Sequence, residues 1–80
     1  MNNLLTLHEA IVLALIDKED RKSTFDEIAK FIETRNLFPI RKGQVSLSTQ
    51  IMLRSTKSKK RYAYLFEEVD KNTIGLKNLL

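Results

Sequence analysis

Two occurrences of one short pattern constrain the fold of this chain most. In each, a threonine stands three residues before a glutamate, and apolar residues follow at helical spacing. The first runs from Thr6 to Glu9 and the second from Thr24 to Glu27. The pattern predicts a capping box, in which the threonine hydroxyl accepts from the glutamate amide and the carboxylate accepts from the threonine amide. The sequence therefore predicts two helices, one beginning after Thr6 and the other after Thr24.

Each pattern leads into a stripe of apolar residues that would form one buried helix face. The first stripe comprises Leu7, Ala10, Ile11, Ala14 and Leu15, and the second comprises Phe25, Ile28, Ala29 and Ile32. The polar run over residues 17–23 is expected to end the first helix. Asn36 tolerates the left-handed conformation and is the expected C-cap of the second helix, and Pro39 blocks its continuation.

A third helix is predicted in the middle of the chain. Ser46 is its candidate N-cap, although an onset at Gln44 is the alternative. Leu47 and Ile51, four residues apart, would face the core. The outer faces would carry Thr49, Gln50, Leu53, Arg54 and Lys57. The polar and basic residues that follow predict that this helix ends near residues 55–56.

The last part of the chain shows strand signals instead. Residues 61–66 are rich in strand-forming residues, and Thr73 to Leu76 is a second short segment of this type. The polar residues 67–72 between them, with Asp70 and Asn72 as turn formers, would form the loop of a hairpin. Three helices followed by a hairpin is the order of a winged helix-turn-helix, a mainly α fold with a two- or three-stranded wing.

Positive charge is concentrated in a basic segment, residues 41–61. Its seven basic residues, which no acid accompanies, are Arg41, Lys42, Arg54, Lys57, Lys59, Lys60 and Arg61. The preceding forty residues contain seven acids and five bases, so the net charge of +4 comes almost entirely from the basic segment. Such a segment on a small, otherwise near-neutral domain is typical of phosphate contact. The alternative is a solvated surface that keeps a small protein soluble.

Length and composition exclude several classes of protein. Eighty residues form one domain, residues 1–80, whose core is expected within residues 5–76. The chain has no cysteine and one histidine, His8, so neither a disulfide, a zinc site nor a catalytic triad is expected. The acids at positions 17, 19 and 20 lie among bases and are typical of a solvated turn. We therefore expect no catalysis, no metal and no cofactor.

Targeting signals are not evident in the sequence. The longest apolar run, Ile11 to Ile16, is too short to cross a bilayer. Residues 1–3 carry no basic side chain of the kind that opens a signal peptide. Because the absence of cysteine also fits a reducing compartment, the expected location is the cytoplasm, without a membrane partner.

Short sequence pieces in a defined order carry a family resemblance. They are Leu7 to Ile11, Phe25 to Ile28 with Ile32, Leu37 to Pro39, Ser46 to Ile51, Arg61-Tyr62 and Gly75-Leu76. Leu37 to Pro39 is similar to a Gly-Leu-Tyr/Trp-Pro turn, with Asn36 where a glycine is common. Ser46 to Ile51 is similar to a Thr-Val-x-Ala-x-Leu recognition helix. In this order the chain resembles the HARE-HTH domain, a winged-helix module of bacterial restriction and other DNA-associated proteins and of eukaryotic chromatin regulators.

The resemblance implies a DNA-binding winged helix of bacterial origin, which serves in transcription regulation or in targeting a DNA-modification or restriction system. Two features depart from the family. The family's wing often carries basic and glycine residues, whereas here Glu67, Glu68 and Asp70 outnumber Lys71, so a poor minor-groove contact is expected. The family's domain also usually forms part of a larger protein, whereas this chain contains no second domain.

The predicted DNA contacts separate positioning from base readout. Phosphate contacts are assigned to Arg41, Lys42, Lys57, Lys59, Lys60 and Arg61, which flank the third helix or follow it. Base readout is assigned to Thr49, Gln50 and Arg54, since Gln can bond adenine and Arg can bond guanine in bidentate fashion. The alternatives are a solvated amide for Gln50, a salt bridge for Arg54 and a solvated loop for residues 57–61. Ser46 is assigned to the helix cap rather than to phosphate.

Two other functions stay open. A protein-interaction module would use the acidic wing and the apolar residues 76–80. Leu79 and Leu80 would then pack on a partner protein or on a second copy in a homodimer, unless they complete the domain's own core. In that case the wing and the residues after it matter for function, whereas DNA binding depends on Arg54 and residues 57–61. RNA binding is the weaker option, because the sequence shows no paired surface aromatics that would stack on bases.

Overall fold

The chain forms three helices and a three-stranded antiparallel sheet. The computed structural model describes residues 5–39, 43, 45–55 and 64–77. In chain order the elements are α1 (Leu7–Ile16), β1 (Lys22–Thr24), α2 (Phe25–Thr34), α3 (Leu47–Ser55), β2 (Phe66–Asp70) and β3 (Thr73–Leu76). The three predicted helices are therefore confirmed. The predicted class, mainly α with a two- or three-stranded wing, is confirmed in part: the three-stranded sheet is present, but the domain is mixed α/β, because a strand also lies between α1 and α2.

Both predicted capping boxes are present. The Thr6 hydroxyl accepts from the Glu9 amide at 3.3 Å, and the Glu9 carboxylate accepts from the Thr6 amide at 2.8 Å. The corresponding distances at Thr24 and Glu27 are 3.1 and 3.4 Å. The two apolar stripes that follow are buried at every predicted position. Local sequence therefore determines where α1 and α2 begin and which face of each is buried.

The end of α2 depends on one residue with a positive φ. Asn36 has a φ of 53° and follows the capping residue Arg35, one position later than predicted but in the predicted left-handed conformation. The Asn36 amide donates to the Glu33 carbonyl at 3.1 Å, and the Leu37 amide donates to the Ile32 carbonyl at 3.0 Å. This pair of bonds is a Schellman motif, which satisfies carbonyls that the helix end leaves without partners.

Helix α3 begins and ends where the sequence predicted. The Thr49 amide donates to the Ser46 hydroxyl at 3.2 Å, so Ser46 is the N-cap and the helix starts at Leu47. Leu47 and Ile51 are buried, as predicted. The last residue, Ser55, is buried, and its hydroxyl donates to the Ile51 carbonyl at 2.7 Å.

Strand β1 was not predicted. Its three residues are polar, and they pair with β3 in the register Lys22↔Gly75 and Thr24↔Thr73. The strand order is β1-β3-β2, so the pairing converts the expected hairpin into a three-stranded sheet. The chain bends into β1 at Arg21, which has a φ of 60°. The Arg21 guanidinium donates to the Lys18 carbonyl at 2.6 Å and to the carbonyl of Ile16, the last residue of α1, at 3.0 Å. A cation at this position is favourable because the C-terminus of a helix carries a partial negative charge.

The predicted hairpin is present, but the bounds of its first strand were wrong. Strand β2 is Phe66–Asp70, so most of the predicted loop belongs to a strand, and residues 64–65 form a turn. The loop itself contains only Lys71 and Asn72. Residues 61–63 of the predicted strand lie outside the described residues. Asp70 and Asn72 act as predicted, since the Asn72 amide donates to the Asp70 carboxylate at 2.9 Å.

The core lies where the three helices meet the inner side of the sheet. Helix α1 contacts α2, α3 and β3, and the two helical stripes pack with Leu47, Ile51, Phe66 and Ile74 in one cluster. Ile11, Ile51 and Ile74 are fully buried within it. Of the helices that the structure describes, none is long and apolar enough to cross a membrane. The packing fixes α3 against the rest of the domain by one side and leaves its other side to solvent.

Candidate nucleic-acid interface

The described part of the candidate interface is the solvent-facing side of α3. The side facing the core carries Leu47, Ile51 and Ser55, all buried. Because an α-helix has 3.6 residues per turn, the opposite side centres on Thr49 and Leu53. Leu53 is 49% exposed.

Thr49, a predicted base contact, takes part in the N-cap of α3. Its amide donates to the Ser46 hydroxyl at 3.2 Å, and the Ser46 hydroxyl donates to its side-chain oxygen at 2.9 Å. Thr49 therefore lies on the outward side of the helix, as predicted, but its hydroxyl has a local role. The remaining lone pair and the hydroxyl proton are the groups it would present to a base.

Gln50 and Arg54 lie together on one flank of α3, one helical turn apart. Both side chains are half-buried. The Gln50 side-chain amide donates to the carbonyl of Val45 at 2.9 Å, which ties the residue before the cap to the first turn of the helix. Its carbonyl oxygen and second amide hydrogen are the atoms that would reach a base. Arg54 is the one basic residue of α3, and the helix contains no acid.

The six predicted phosphate contacts lie outside the described residues. They are Arg41, Lys42, Lys57, Lys59, Lys60 and Arg61. Leu79 and Leu80, the predicted partner contacts, also lie outside them. Of the predicted interface, the structure therefore brings Thr49, Gln50 and Arg54 onto one helix, and the phosphate contacts stay predictions.

The N-terminus of α3 differs electrostatically from those of α1 and α2. The backbone amide of Thr24, followed by its hydroxyl and by Lys18, lowers the pKa of Glu27. The amide and hydroxyl of Thr6 likewise lower the pKa of Glu9. Each of these carboxylates is held charged at the positive end of a helix dipole. In α3 the equivalent position is the neutral Thr49, so its N-terminus contains no negative charge of its own.

One carboxylate from another element touches α3. The Ser48 hydroxyl donates to the Asp26 carboxylate at 2.6 Å, which joins α3 to the first turn of α2. Ser48 lies on the side of α3 that faces α2, away from the flank of Gln50 and Arg54. This bond fixes the relative placement of the two helices, at the cost of one negative charge near the interface.

Sequence reasoning gave no role to two apolar residues at this interface. The sequence pattern indicates an outer position for Leu53 but no function, and it indicates no role for Val45. They are 49% and 47% exposed. The signal available in the sequence was the position of Leu53, four residues after Thr49 and off the stripe of Leu47 and Ile51.

A second exposed surface lies along α1 and the turn at residues 64–65. Leu5, Val12, Leu13, Tyr64 and Leu65 line an open groove of about 390 Å³ along α1, with His8 and Glu9 beside them. Leu13 is 42% exposed and Tyr64 is 61% exposed. On the edge strand β2, the acidic residues Glu67, Glu68 and Asp70 are all exposed. The groove and the acidic strand therefore use residues of α1, of the turn at residues 64–65 and of β2, and none of α3.

In comparisons with known proteins, no family model, no curated protein and no solved structure matches this chain. The resemblance to the HARE-HTH family therefore rests on the sequence pieces given above and stays a prediction.

Proposed function

We propose that this chain is a winged-helix DNA-binding domain that places α3 in the major groove. The element order, with a strand between α1 and α2 and a hairpin after α3, supports this arrangement. The sheet order β1-β3-β2 supports it as well, because the hairpin then extends from a strand anchored beside α2. Membership of the HARE-HTH family, with a role in transcription regulation or in targeting a DNA-modification or restriction system, is part of the same proposal.

One observation carries the proposal. The side of α3 that the core leaves exposed belongs to an acid-free helix, and this helix lies within the 41–61 segment, which contains seven bases and no acid. A helix of this charge can approach phosphates without repulsion from its own side chains. The first two helices, whose N-termini carry Glu9 and Glu27, lack this property.

In the proposed complex, positioning and readout use different residues. The basic residues before and after α3, at positions 41, 42, 57, 59, 60 and 61, contact the phosphate backbone. Amides in the first turn of α3 add a partial positive charge at the end nearest Ser46. Base edges meet Thr49, Gln50 and Arg54. The acidic strand β2 makes no favourable phosphate contact, so affinity depends on the α3 side of the domain.

Fluorescence anisotropy with a labelled duplex of about 20 base pairs, titrated across several salt concentrations, tests the proposal. At about −0.9 per phosphate, contacts of the size of the basic segment predict a slope of log K against log salt of roughly −4 to −6. Neutralising Lys59 and Lys60 to Gln is expected to flatten that slope by about 1.8. The matched control neutralises Lys71 and Lys77, which removes the same charge from the hairpin side and is expected to leave the slope unchanged.

A protein-interaction module is the second candidate function, and the apolar groove along α1 favours it. Its partner would be a second copy of this chain, contacted through Leu79 and Leu80. The Lys77 amide donates to the Leu65 carbonyl at 2.8 Å, so the chain leaves β3 beside the wall of that groove. Failure to bind a duplex even at low salt would contradict DNA binding. Sedimentation equilibrium of the wild type and of Leu13→Asp then decides whether the groove supports a dimer.

A further inference from the structure

We infer that Leu53, assisted by Val45, reads the methyl groups of thymine in the major groove. This inference rests on the proposed DNA binding and names the base feature that the outward side of α3 recognises. It assigns a specificity-determining role to residues for which the sequence pattern gave none.

The position of Leu53 is the first argument. It lies opposite the buried residues Leu47 and Ile51 on α3, and 49% of its surface is exposed. Val45, directly before the N-cap, is exposed to 47%. At α3 and directly before its N-cap, two apolar side chains are therefore exposed that the core does not use.

The state of the neighbouring polar groups is the second argument. The Thr49 side-chain oxygen accepts from Ser46 at 2.9 Å, and the Gln50 amide donates to the Val45 carbonyl at 2.9 Å. Both polar side chains thus already use part of their hydrogen-bonding capacity at the N-terminus of α3. The Leu53 side chain is apolar, so no local hydrogen bond competes with its contact to a base. The helix that carries it contains no acid and therefore does not repel the DNA phosphates.

The chemistry of the groove identifies the ligand. Among the four bases, thymine alone presents a methyl group, at C5, to the major groove, and apolar side chains contact it there. Removing one methyl group from water in such a contact corresponds to about a fourfold gain in affinity per thymine contacted. Hydrogen-bond readout by Arg54 at a guanine is compatible with this contact, because it uses a different base pair.

A matched pair of duplexes tests the inference. Both have the same A·T-rich sequence of about 20 base pairs, and one carries uracil in place of every thymine, which removes the C5 methyl groups and keeps the hydrogen-bonding groups. Wild-type protein is expected to bind the thymine duplex about fourfold or more tightly. Leu53→Ala is expected to lose most of this preference, with any remainder contributed by Val45. Ile16→Ala, which truncates an aliphatic residue of similar exposure on α1, is the control and is expected to keep the wild-type preference.

The outcomes separate the two proposals. Equal wild-type affinity for both duplexes overturns methyl readout and leaves DNA binding intact. A thymine preference that keeps its wild-type size in Leu53→Ala assigns the readout to another residue and overturns the role of Leu53. Absence of binding to either duplex overturns DNA binding itself.

Discussion

The N-termini of α2 and α3 are capped alike, but the first turn of α2 carries two acids, Asp26 and Glu27, and that of α3 carries none. In α2 the Thr24 hydroxyl accepts from the Glu27 amide at 3.1 Å, and in α3 the Ser46 hydroxyl accepts from the Thr49 amide at 3.2 Å. The third residue of the helix is a glutamate in one and a threonine in the other. A helix can therefore be capped with or without a carboxylate. The α3 cap brings no carboxylate of its own to the positive end of the helix dipole, so the charge there that would oppose an external anion is the Asp26 carboxylate of α2 at Ser48.

Giving α3 the cap of α2 is expected to have the largest effect. Thr49→Glu would complete a capping box with Ser46 and stabilise the protein by about 0.5 kcal/mol, because an acid in the first turn is favoured. The same charge would repel phosphate and lower duplex affinity by about tenfold. Anisotropy titration and thermal unfolding measure the two effects. Thr49→Gln, which can form the box without charge, is the matched control, and an equal loss of affinity in it would contradict the electrostatic argument.

Removing the caps tests whether they are equivalent structurally. Thr24→Ala is expected to cost about 1 kcal/mol of unfolding free energy, and Ser46→Ala somewhat less. Each hydroxyl accepts from one backbone amide, but the Thr24 hydroxyl also donates to the charged Glu27 carboxylate at 3.2 Å, whereas the Ser46 hydroxyl donates to the neutral Thr49 hydroxyl at 2.9 Å. For a domain of this size the loss corresponds to a fall in Tm of about 4–8 °C. Thermal unfolding by circular dichroism measures both variants, and a larger loss for Ser46→Ala would reverse the expected order.

Acid should remove part of the stability at α2 and none at the cap of α3. The pKa of Glu27 lies below its ordinary value of 4.5 because the Thr24 amide and hydroxyl and Lys18 favour the charged form. A group with a lowered folded pKa stabilises the protein above its unfolded pKa, and this contribution is lost as the pH falls through the folded pKa. The stability difference between wild type and Glu27→Gln should therefore shrink below pH 4.5.

Urea unfolding of both proteins from neutral pH down to about pH 3 gives that difference. The Thr49→Gln variant changes no titrating group, so its difference from wild type should stay constant over the same range. A Glu27→Gln difference that is equally constant would show that the carboxylate at α2 does not contribute through its charge.

The smallest expected effect concerns the carboxylate that touches α3 from α2. Asp26→Asn keeps an acceptor for the Ser48 hydroxyl and removes the one negative charge that touches α3, which should raise duplex affinity about twofold. The rise should vanish at high salt, since exposed charges are then screened. Anisotropy at low and high salt measures it, with Asp17→Asn, at the distal end of α1, as the control that should leave affinity unchanged.

Local sequence predicted the helices well because the forces that define them are local. Thr6, Thr24 and Ser46 cap through residues three positions away, and Asn36 ends α2 through carbonyls of its own last turn. The buried stripes follow from helical periodicity alone. These features needed no knowledge of the rest of the chain.

The strands were predicted less well because their partners are distant. Lys22–Thr24 is polar and becomes a strand through bonds to β3 that no local pattern encodes. Strand β2 is acidic because it lies at an edge of the sheet, where four of its five residues are exposed and charge discourages further pairing. Strand propensity therefore placed it too early in the chain. For the interface, the sequence predicted the residue types on α3. It did not predict the hydrogen bonds that Thr49 and Gln50 make, because these depend on the side-chain conformations at the N-terminus of the helix.

The pairing of β1 with β3 has a kinetic consequence. Lys22 and Gly75 are neighbours in the sheet although about fifty residues separate them, so closing this contact carries the entropic cost of a long loop. Helices α1 and α2 can form from local contacts, whereas the start of α2 gains its bond from the Phe25 amide to the Asn72 carbonyl only when the hairpin docks. During synthesis, the sheet therefore cannot be complete before residue 76 has been added to the chain. Folding should also be slower than for a three-helix bundle of equal length, because such a bundle has fewer contacts between distant residues.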